Sequence, residues 1–441
     1  METVLLYILG ILIILVGLAI SIGLHEVGHL IPAKKFGVKV GQYMIGFGPT
    51  IVSWQRGETQ YGIKAIPLGG YISMAGMYPP AKQGERGRSA TTGMFETLVQ
   101  DDSAKLHVDS VEEEERSFYR LPVYKRVIIM LGGPVMNLLL AIVFIGIVLS
   151  GFGIPVSTTT IGSVTECLVP ATANRTTCES GDTPAPAYQS GLVIGDQIVT
   201  INGSPIATTA EATSIIRSSP SEPLAVKVDR NGLTKDLTVT PALTERYVVD
   251  AQGRQTLDAA GKPSTEKVGV IGVGWAYEVQ RQPVTAVLPM VGDNIVRLVT
   301  VIAHLPQRVV DLAVSTFGPG QRDPNGLVGV VGVGRIAGEI TSLNTVPVAD
   351  RASSLIMLVG GLNIALFVFN LIPLPPLDGG HIVVALIDGV RRIIAKIARR
   401  PMPRPIDAAK VIPVTLVVAT LLGALTVLLL IADIIKPITL Q

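Results

Sequence analysis

Charged side chains are scarce in this 441-residue chain, and their scarcity excludes whole classes of protein. Asp, Glu, Lys and Arg together make up 16% of the residues, whereas 48% are hydrophobic. The formal net charge is only +2, and no basic patch interleaved with aromatic residues is present, so nucleic-acid binding is excluded. Length alone would suggest about three soluble domains. So apolar a composition is instead typical of a membrane protein with several spanning helices.

Cysteine is almost absent, since the chain contains only Cys167 and Cys178, both in a polar segment. In a reducing compartment such a pair would be two free thiols. In an oxidising compartment, a disulfide that closes this short loop is the better interpretation. Membrane topology has to decide between the two.

Long hydrophobic runs are present, at the length of about 20 residues that one bilayer crossing requires. The first lacks a basic leading region and an Ala-x-Ala cleavage site, so we interpret it as a retained transmembrane helix and not as a signal peptide. A weaker run, Val284 to Val314, carries charged residues and predicts an amphipathic surface helix. The four predicted spans are Thr3 to Leu24, Val127 to Phe152, Leu355 to Leu374 and Ile412 to Ile431.

Lysine and arginine cluster after the first span, before the second, and between the third and the fourth. The positive-inside rule places these clusters in the cytoplasm. The N-terminus, residues 153–350 and the C-terminal tail are then expected outside, where a Cys167–Cys178 disulfide is favoured. The clusters are Lys34, Lys35 and Lys39; Lys125 and Arg126; and Arg391, Arg392, Lys396, Arg399, Arg400 and Arg404.

Residues 38–77 and the external segment both have the composition of β structure. In the first, β-branched and aromatic residues are interrupted by Gly and Pro, which predicts several short strands and turns. Such backbone is tolerated at membrane depth only where it lines a protein cavity. In the second, SGLVIGDQIVTINGSPI at 190–206 precedes one helix-like and two strand-like stretches, which predicts a compact α+β domain.

The first span ends in GLHEVGHL, which places His25 and His29 four residues apart on one helix face. Two imidazoles so placed can bind one zinc ion, and Glu26 can hold and deprotonate a water molecule beside it. The motif alone is a modest signal, because a polar cluster at a helix end could produce it. Each ionisable residue at the centre of a span costs about 2.5–3.5 kcal/mol, so three within five residues favour a metal site.

A catalytic zinc site needs a third protein ligand. NLIPLPPLDGGH closes the third span, and its Asp378 is expected at the same cytoplasmic face as His29. The alternative for Asp378 is a residue of an Asp-Gly-Gly turn. His381 is a competing ligand that ranks below Asp378.

HEVGH, GGPVMN and FNLIPLPPLDGGH together resemble the site-2 protease family of intramembrane zinc metalloproteases, and most closely its bacterial regulator of sigma-E protease group and the actinobacterial branch of that group. The resemblance covers most of the chain. It implies that His25, His29 and Asp378 bind Zn²⁺ and that Glu26 is the general base. It also implies an external PDZ domain, because GLVIGDQIVTINGSPI resembles the core of such domains, although the insert with both cysteines departs from a minimal PDZ pattern.

The resemblance assigns further residues near the zinc site. Asn370 would hold the substrate backbone or the oxyanion, with an interhelical hydrogen bond as the alternative. Gly133, Pro134 and Asn137 match the second-helix motif and would bind substrate, with Asn137 also able to brace the site. Helix packing alone is an equal alternative for these three. Segment 38–77 would add an unwound substrate as a strand, or serve only as scaffold.

The expected function is hydrolysis of peptide bonds within the transmembrane helices of single-span proteins. Anti-sigma-factor-like proteins and signal-peptide remnants are the expected substrates, cut after an upstream site-1 protease has shortened them. The expected location is the bacterial inner (cell) membrane, with the lipid bilayer around the spans and the active site near the cytoplasmic side. The alternatives are a metal or proton transporter, which the missing inverted repeat disfavours, and a PDZ-bearing scaffold with a degenerate site.

The predicted fold is a polytopic α-helical membrane protein with about four transmembrane helices, a membrane-associated β-rich element and an extracytoplasmic PDZ (α+β) domain. The predicted divisions are a first transmembrane helix with the zinc motif (1–37), a re-entrant β element (38–77), a flexible cytoplasmic loop (78–126), a second transmembrane helix (127–152), a PDZ domain with an extension (153–280), an amphipathic helix with a connecting segment (281–350), a third transmembrane helix with the Asp ligand (351–380), a basic cytoplasmic segment (381–410) and a fourth transmembrane helix (411–435).

Overall fold

The chain divides into two units, Met1–Phe152 with Gln282–Gln441 and Gly153–Arg281, and each is described by itself. The structure is a computed structural model. It describes residues 2–80, 88–92, 114–169, 177–248, 256, 264–318, 322–323, 326–406 and 412–438.

Helices dominate the first unit, and most of them follow the long apolar runs of the sequence. The second helix continues beyond its α-helical part as a π-helix, Ile147–Phe152. In chain order the α-helices given by the described residues are α1 (Glu2–Lys35), α2 (Val123–Gly146), α3 (Pro186–Gln189), α4 (Thr209–Ser218), α5 (Val287–Ala303), α6 (Leu305–Phe317), α7 (Val330–Ser342), α8 (Val348–Asn370), α9 (Asp378–Ile397) and α10 (Ile412–Ile435).

Within the described residues, five helices are long and apolar enough to cross a membrane, where four were predicted. Four of them coincide with the predicted runs. The fifth, Val284–Ala303, falls in the stretch for which a single amphipathic helix over 284–314 was predicted, and that single helix is wrong. The chain breaks there at His304 because Pro306, which lacks a backbone N–H, lies in the first turn of a new helix, α6. The five are Glu2–Lys35, Val123–Phe152, Val284–Ala303, Val348–Asn370 and Pro413–Ile435.

Helices α1 and α2 cross where both carry glycine. A methyl group on Gly28 would overlap with the carbonyl of Gly132, and one on Gly132 would overlap with the carbonyl of Gly28. The two backbones are therefore in direct contact, which only residues without a side chain permit. This crossing brings the HEVGH turn of α1 against GGPVMN of α2.

The β element consists of β1 (Val40–Arg56), β2 (Thr59–Tyr78) and β3 (Arg88–Thr91), which form a sheet in that order. Several short strands were predicted, but β1 and β2 are long strands that bend. The bends coincide with GFGP and PLGG, where Gly46, Gly48 and Gly69 adopt positive φ angles and let each strand change direction without leaving the sheet.

Most of the predicted flexible loop 78–126 lies outside the described residues. The described parts include β3 and a short 3-10 helix, Phe118–Arg120, immediately before α2. Arg116 in this region donates two hydrogen bonds to the carboxylate of Glu58 in the β1–β2 turn, at 2.7 and 2.8 Å. This pair connects the segment that precedes α2 to the β element.

The second unit, Gly153–Arg281, consists of antiparallel strands and one principal helix. Its main sheet has the order β10-β9-β7-β4-β13, with β8 paired to β7, and a core of Ile, Val and Leu side chains. The strands are β4 (Ile154–Val164), β5 (Cys167–Leu168), β6 (Thr183–Pro184), β7 (Gln197–Ile201), β8 (Ser204–Pro205), β9 (Leu224–Arg230), β10 (Leu233–Val239), β11 (Ala242–Tyr247), β12 (Thr265–Val270) and β13 (Val273–Gln280).

Helix α4 of this unit begins at a capping box. The hydroxyl of Thr208 accepts a hydrogen bond from the Glu211 N–H, and the Glu211 carboxylate accepts one from the Thr208 N–H. Two of the free N–H groups of the first turn are thereby satisfied. The predicted helix-like stretch, 209–217, ends one residue before the helix does.

Polar groups also stabilise the second unit. Cys167 and Cys178 form a disulfide, as the sequence favoured, and β5 and β6 pair beside it.

Burial raises the pKa of Asp196, but hydrogen bonds from the Arg230 guanidinium and the Val193 N–H outweigh burial and lower this pKa below its ordinary value. The ionised form of Asp196 therefore stabilises the unit above its ordinary pKa, and this contribution is lost as the pH falls through the lowered value.

Candidate metal centre

Helix α1 supplies three of the predicted site residues from its last turns, and all three are buried. The Nε2 atoms of His25 and His29 lie 3.2 Å apart, because residues four apart share one face of a helix. Asp378, the first residue of α9, places its Oδ2 atom 3.3 Å from each of these nitrogens. The three atoms form a nearly equilateral triangle.

The triangle fits a tetrahedral zinc ion. Zinc binds imidazole nitrogen and carboxylate oxygen at about 2.0–2.1 Å, which requires ligand atoms about 3.3 Å apart at the corners of a tetrahedron. The Oδ2 atom of Asp378 is buried and accepts no hydrogen bond of normal geometry from the two rings that face it. Among the described residues, these three are the ligand-type side chains that converge in this way. His381, the competing ligand, is not in the group.

The outer nitrogens of both rings contact helix α2. His29 Nδ1 lies 2.7 Å from the carbonyl of Ile129, so Nδ1–H donates and the lone pair of Nε2 faces the centre of the triangle. His25 Nδ1 lies 3.0 Å from the side-chain amide nitrogen of Asn137, whose oxygen is buried without a partner. If the Asn137 amide is rotated by about 180°, its oxygen accepts a hydrogen bond from a protonated His25 Nδ1.

Gly133 lies against the Nε2 atoms of the two rings. A methyl group built on it would overlap with His29 Nε2 and lie 2.7 Å from His25 Nε2. The absence of a side chain at this position keeps the centre of the triangle open. Pro134, the next residue of the motif, is buried inside α2.

Glu26 faces a cavity that it shares with His25 and Asp378. Its Oε2 atom accepts a hydrogen bond of 3.0 Å from the hydroxyl of Thr92, which itself accepts one from the Ile72 N–H. Sequence reasoning missed Thr92. No motif marks it, and only the pairing of β3 with β2 brings it to Glu26.

Asn370, the last residue of α8, lines the same cavity. Its side-chain amide donates a hydrogen bond of 3.0 Å to the carbonyl of Leu366, one turn earlier in α8. The glycine-rich bends of the β element also line it, with Gly46 and Phe47 from β1 and Gly69, Gly70 and Tyr71 from β2, and so do Thr92 and Asn137. The structure thus brings the ends of α1, α8 and α9 and the bends of the sheet to one cavity.

Fold and site together define a class: a helical membrane protein with a buried His–His–Asp group that could hold a metal ion beside a glutamate, which is a donor set typical of zinc peptidases. Residues 13–403 match the model of peptidase family M50, and the chain belongs to this family, the site-2 proteases. The predicted family, enzyme class, intramembrane proteolytic function and zinc cofactor are confirmed.

Named relatives support the same conclusion. The chain is 32% identical to the zinc metalloprotease Rip1 of Mycobacterium tuberculosis, over 98% of this chain and 99% of Rip1. It is 30% identical to Rip1 of Mycolicibacterium smegmatis, over 98% of each chain, and 29% identical to the zinc metalloprotease RasP of Geobacillus kaustophilus, over 83% of this chain and 86% of RasP. The similarity to both Rip1 proteins supports the predicted actinobacterial affinity.

Proposed function

We propose that His25, His29 and Asp378 hold the zinc ion and that Glu26 is the general base for peptide hydrolysis. The observation that carries this proposal is the triangle of two Nε2 atoms and one carboxylate oxygen, with edges of 3.2–3.3 Å, beside a buried glutamate. A zinc ion bound there would lower the pKa of water and polarise the scissile carbonyl.

Glu26 takes a proton from the attacking water while the oxygen of this water bonds to the carbonyl carbon of the substrate. Glu26 then transfers this proton to the amine nitrogen when the C–N bond breaks, and the carboxylate is regenerated. The hydrogen bond from Thr92 to Oε2 leaves Oε1 for the attacking water. Thr92 is therefore a positioning residue for the base.

Asn370 is proposed to hold the substrate at the same cavity. A neutral amide can donate to the substrate backbone or to the oxyanion without adding a competing charge. Its present hydrogen bond is to a carbonyl of its own helix, and this bond can be exchanged for one to a substrate. Asn137, which is fully buried against His25 and also lines the cavity, is proposed to orient that ligand.

The β element is proposed to receive the substrate as an added strand. A transmembrane helix satisfies its amides internally, so a segment must unwind before its peptide bonds are accessible. The bends at Gly46–Phe47 and Gly69–Tyr71 line the cavity beside Glu26, where backbone groups can replace the lost hydrogen bonds.

The proposed topology places the site near the cytoplasmic side of a bacterial inner membrane and residues 153–281 outside, as a PDZ domain. The basic clusters support this orientation, and so does the disulfide, which persists in an oxidising compartment. The PDZ domain would exclude bulky substrates or bind a new C-terminus. An opening between Ile216 of α4 and Gly272, next to strand β13, supports peptide binding.

The proposed substrates are single-span membrane proteins, such as anti-sigma-factor-like proteins and signal-peptide remnants, after an upstream site-1 protease has removed their external domains. The test uses purified protein in liposomes with a single-span substrate, either shortened outside or fused to a bulky external domain. We expect mass spectrometry to locate the cut within the apolar segment, and only the shortened substrate to be cut. Cleavage confined to the water-exposed part would contradict the proposal.

The proposed role of Asn137 gives a further prediction. Asn137→Leu removes the acceptor for His25 Nδ1–H, so zinc affinity should fall about 10–100-fold, as when the outer partner of a zinc-binding histidine is lost. Asn137→Asp keeps an acceptor and should retain zinc. The measurement is competition with a chelator. If both variants bind zinc as the wild type does, Asn137 does not position the ligand.

A further inference from the structure

Helix α9 has two opposite faces, and the described residues cover only one of them. On the covered face, Ala385, Asp388 and Ala395 are buried. Asp388 accepts a hydrogen bond of 2.8 Å from Arg126 of α2 and lies 3.3 Å from Arg392 on its own helix. This face fixes α9 to α2.

The opposite face is apolar and exposed. Its residues recur at the spacing of one helix face, and each is between 48% and 79% exposed. We name it the apolar strip, and it consists of Leu386, Ile387, Val390, Ile393, Ile394 and Ile397. In water, such a continuous apolar surface would be unfavourable, so it requires an apolar neighbour.

Basic side chains border the apolar strip. At about 100° per residue, Arg391 lies at one edge of the strip and Lys396 lies towards the other, and Arg399 and Arg400 follow the helix end. All four are exposed. The one acidic residue between 381 and 406, Asp388, is buried and paired, so the exposed charge beside the strip is positive. An apolar arc with basic borders is the pattern of a helix that lies in the membrane interface.

Both ends of α9 are tied to helices long and apolar enough to span a membrane. The helix begins eight residues after α8 ends at Asn370, and α10 begins at Ile412. We propose that α9 lies in the membrane interface, with the apolar strip among the acyl chains and with Arg391, Lys396, Arg399 and Arg400 bound to the headgroups of anionic phospholipids. The apolar strip and Asp378 belong to one helix. The helix that supplies the proposed zinc ligand Asp378 is therefore also the one that binds lipid.

The position of the strip is tested with one introduced thiol. Cys167 and Cys178 are bonded to each other, so a spin label on Ile394→Cys reports one site in full-length protein reconstituted in phosphatidylcholine–phosphatidylglycerol vesicles. We expect the label to be accessible to oxygen, which dissolves in lipid, and shielded from an aqueous nickel complex. A label on Glu222→Cys, which is exposed in the second unit, should give the reverse. A label at 394 that is open to nickel, or shielded from both reagents by a protein neighbour, would overturn the proposal.

The headgroup preference is tested with the Arg391→Gln/Lys396→Gln double variant in neutral detergent. Binding of fluorescent phosphatidylglycerol should weaken about fivefold for each neutralised side chain, which corresponds to the attraction of one basic residue to an anionic leaflet. Binding of phosphatidylcholine should not change. The matched variant Lys235→Gln/Lys267→Gln loses the same charge from the second unit and should bind as the wild type does. Equal binding by the two double variants, or displacement of the lipid by inorganic phosphate, would overturn headgroup recognition.

Discussion

Glu26→Gln is expected to lower the rate of proteolysis about 10²–10⁴-fold, the contribution of a positioned general base. The amide has the size of the carboxylate and can still accept a hydrogen bond from Thr92, but it cannot take a proton from water. Zinc should remain bound, because neither histidine nor Asp378 changes. The measurements are initial rates on a single-span substrate in liposomes and zinc per chain by atomic absorption.

Glu222→Gln is the matched control for this substitution. Glu222 is exposed in the second unit, so the same chemical change there should leave the rate unchanged. A Glu26→Gln protein with bound zinc that retains the wild-type rate would show that another group takes the proton. Loss of both zinc and activity would assign Glu26 to metal binding.

Gly133→Ala is expected to abolish zinc binding, and activity with it, through one added methyl group. That group would occupy the space between His25 Nε2 and His29 Nε2. Alanine is a better helix former than glycine, so helix α2 itself should not be weakened. The variant should purify as a folded protein with little or no zinc.

Gly361→Ala in α8 provides the control, because a methyl group there meets no atom within 4 Å. It should bind one zinc ion and cleave substrate at the wild-type rate. If Gly133→Ala binds zinc normally, the rings do not hold the metal in the orientation that the structure has, and the proposed ligand geometry is wrong.

The zinc motif was predictable because its information is local. The spacing of HEVGH places two imidazoles on one helix face. The motif also lies at the end of an apolar run, where unpaired ionisable side chains are costly, and this favours a metal site over a chance cluster of polar residues. Asp378 was predicted as the third ligand from membrane topology, since the first and the third span were both expected to end on the cytoplasmic side. The packing of α1, α2 and α9 that brings Asp378 to both histidines is encoded by no periodicity.

Two contacts of the site could not be predicted from the sequence. Thr92 lies in a polar stretch without a motif, and it reaches Glu26 because β3 pairs with β2. The hydrogen bond that orients His29 comes from the backbone of Ile129, so the identity of that residue carries no signal. Such partners depend on tertiary packing, which short motifs do not record.

Secondary structure was predicted better for the spans than for the segments between them. Strands β1 and β2 bend at glycine residues with positive φ angles. In the sequence, Gly and Pro at these bends predicted the ends of short strands. The stretch 284–314 was predicted as one helix because its apolar residues continue past His304. Pro306 was the signal for a break there, since proline is favoured at the start of a new helix.

Zinc K-edge X-ray absorption of the purified wild-type protein tests the metal centre most directly. The expected result is one zinc ion per chain, with two imidazole nitrogens and only oxygen besides, at about 2.0–2.2 Å. In Asp378→Ala the zinc ion loses its carboxylate ligand, so its absorption spectrum should change and a weak chelator should remove it. A zinc site with sulfur ligands, or a spectrum and zinc affinity that Asp378→Ala leaves unchanged, would contradict a centre built from His25, His29 and Asp378.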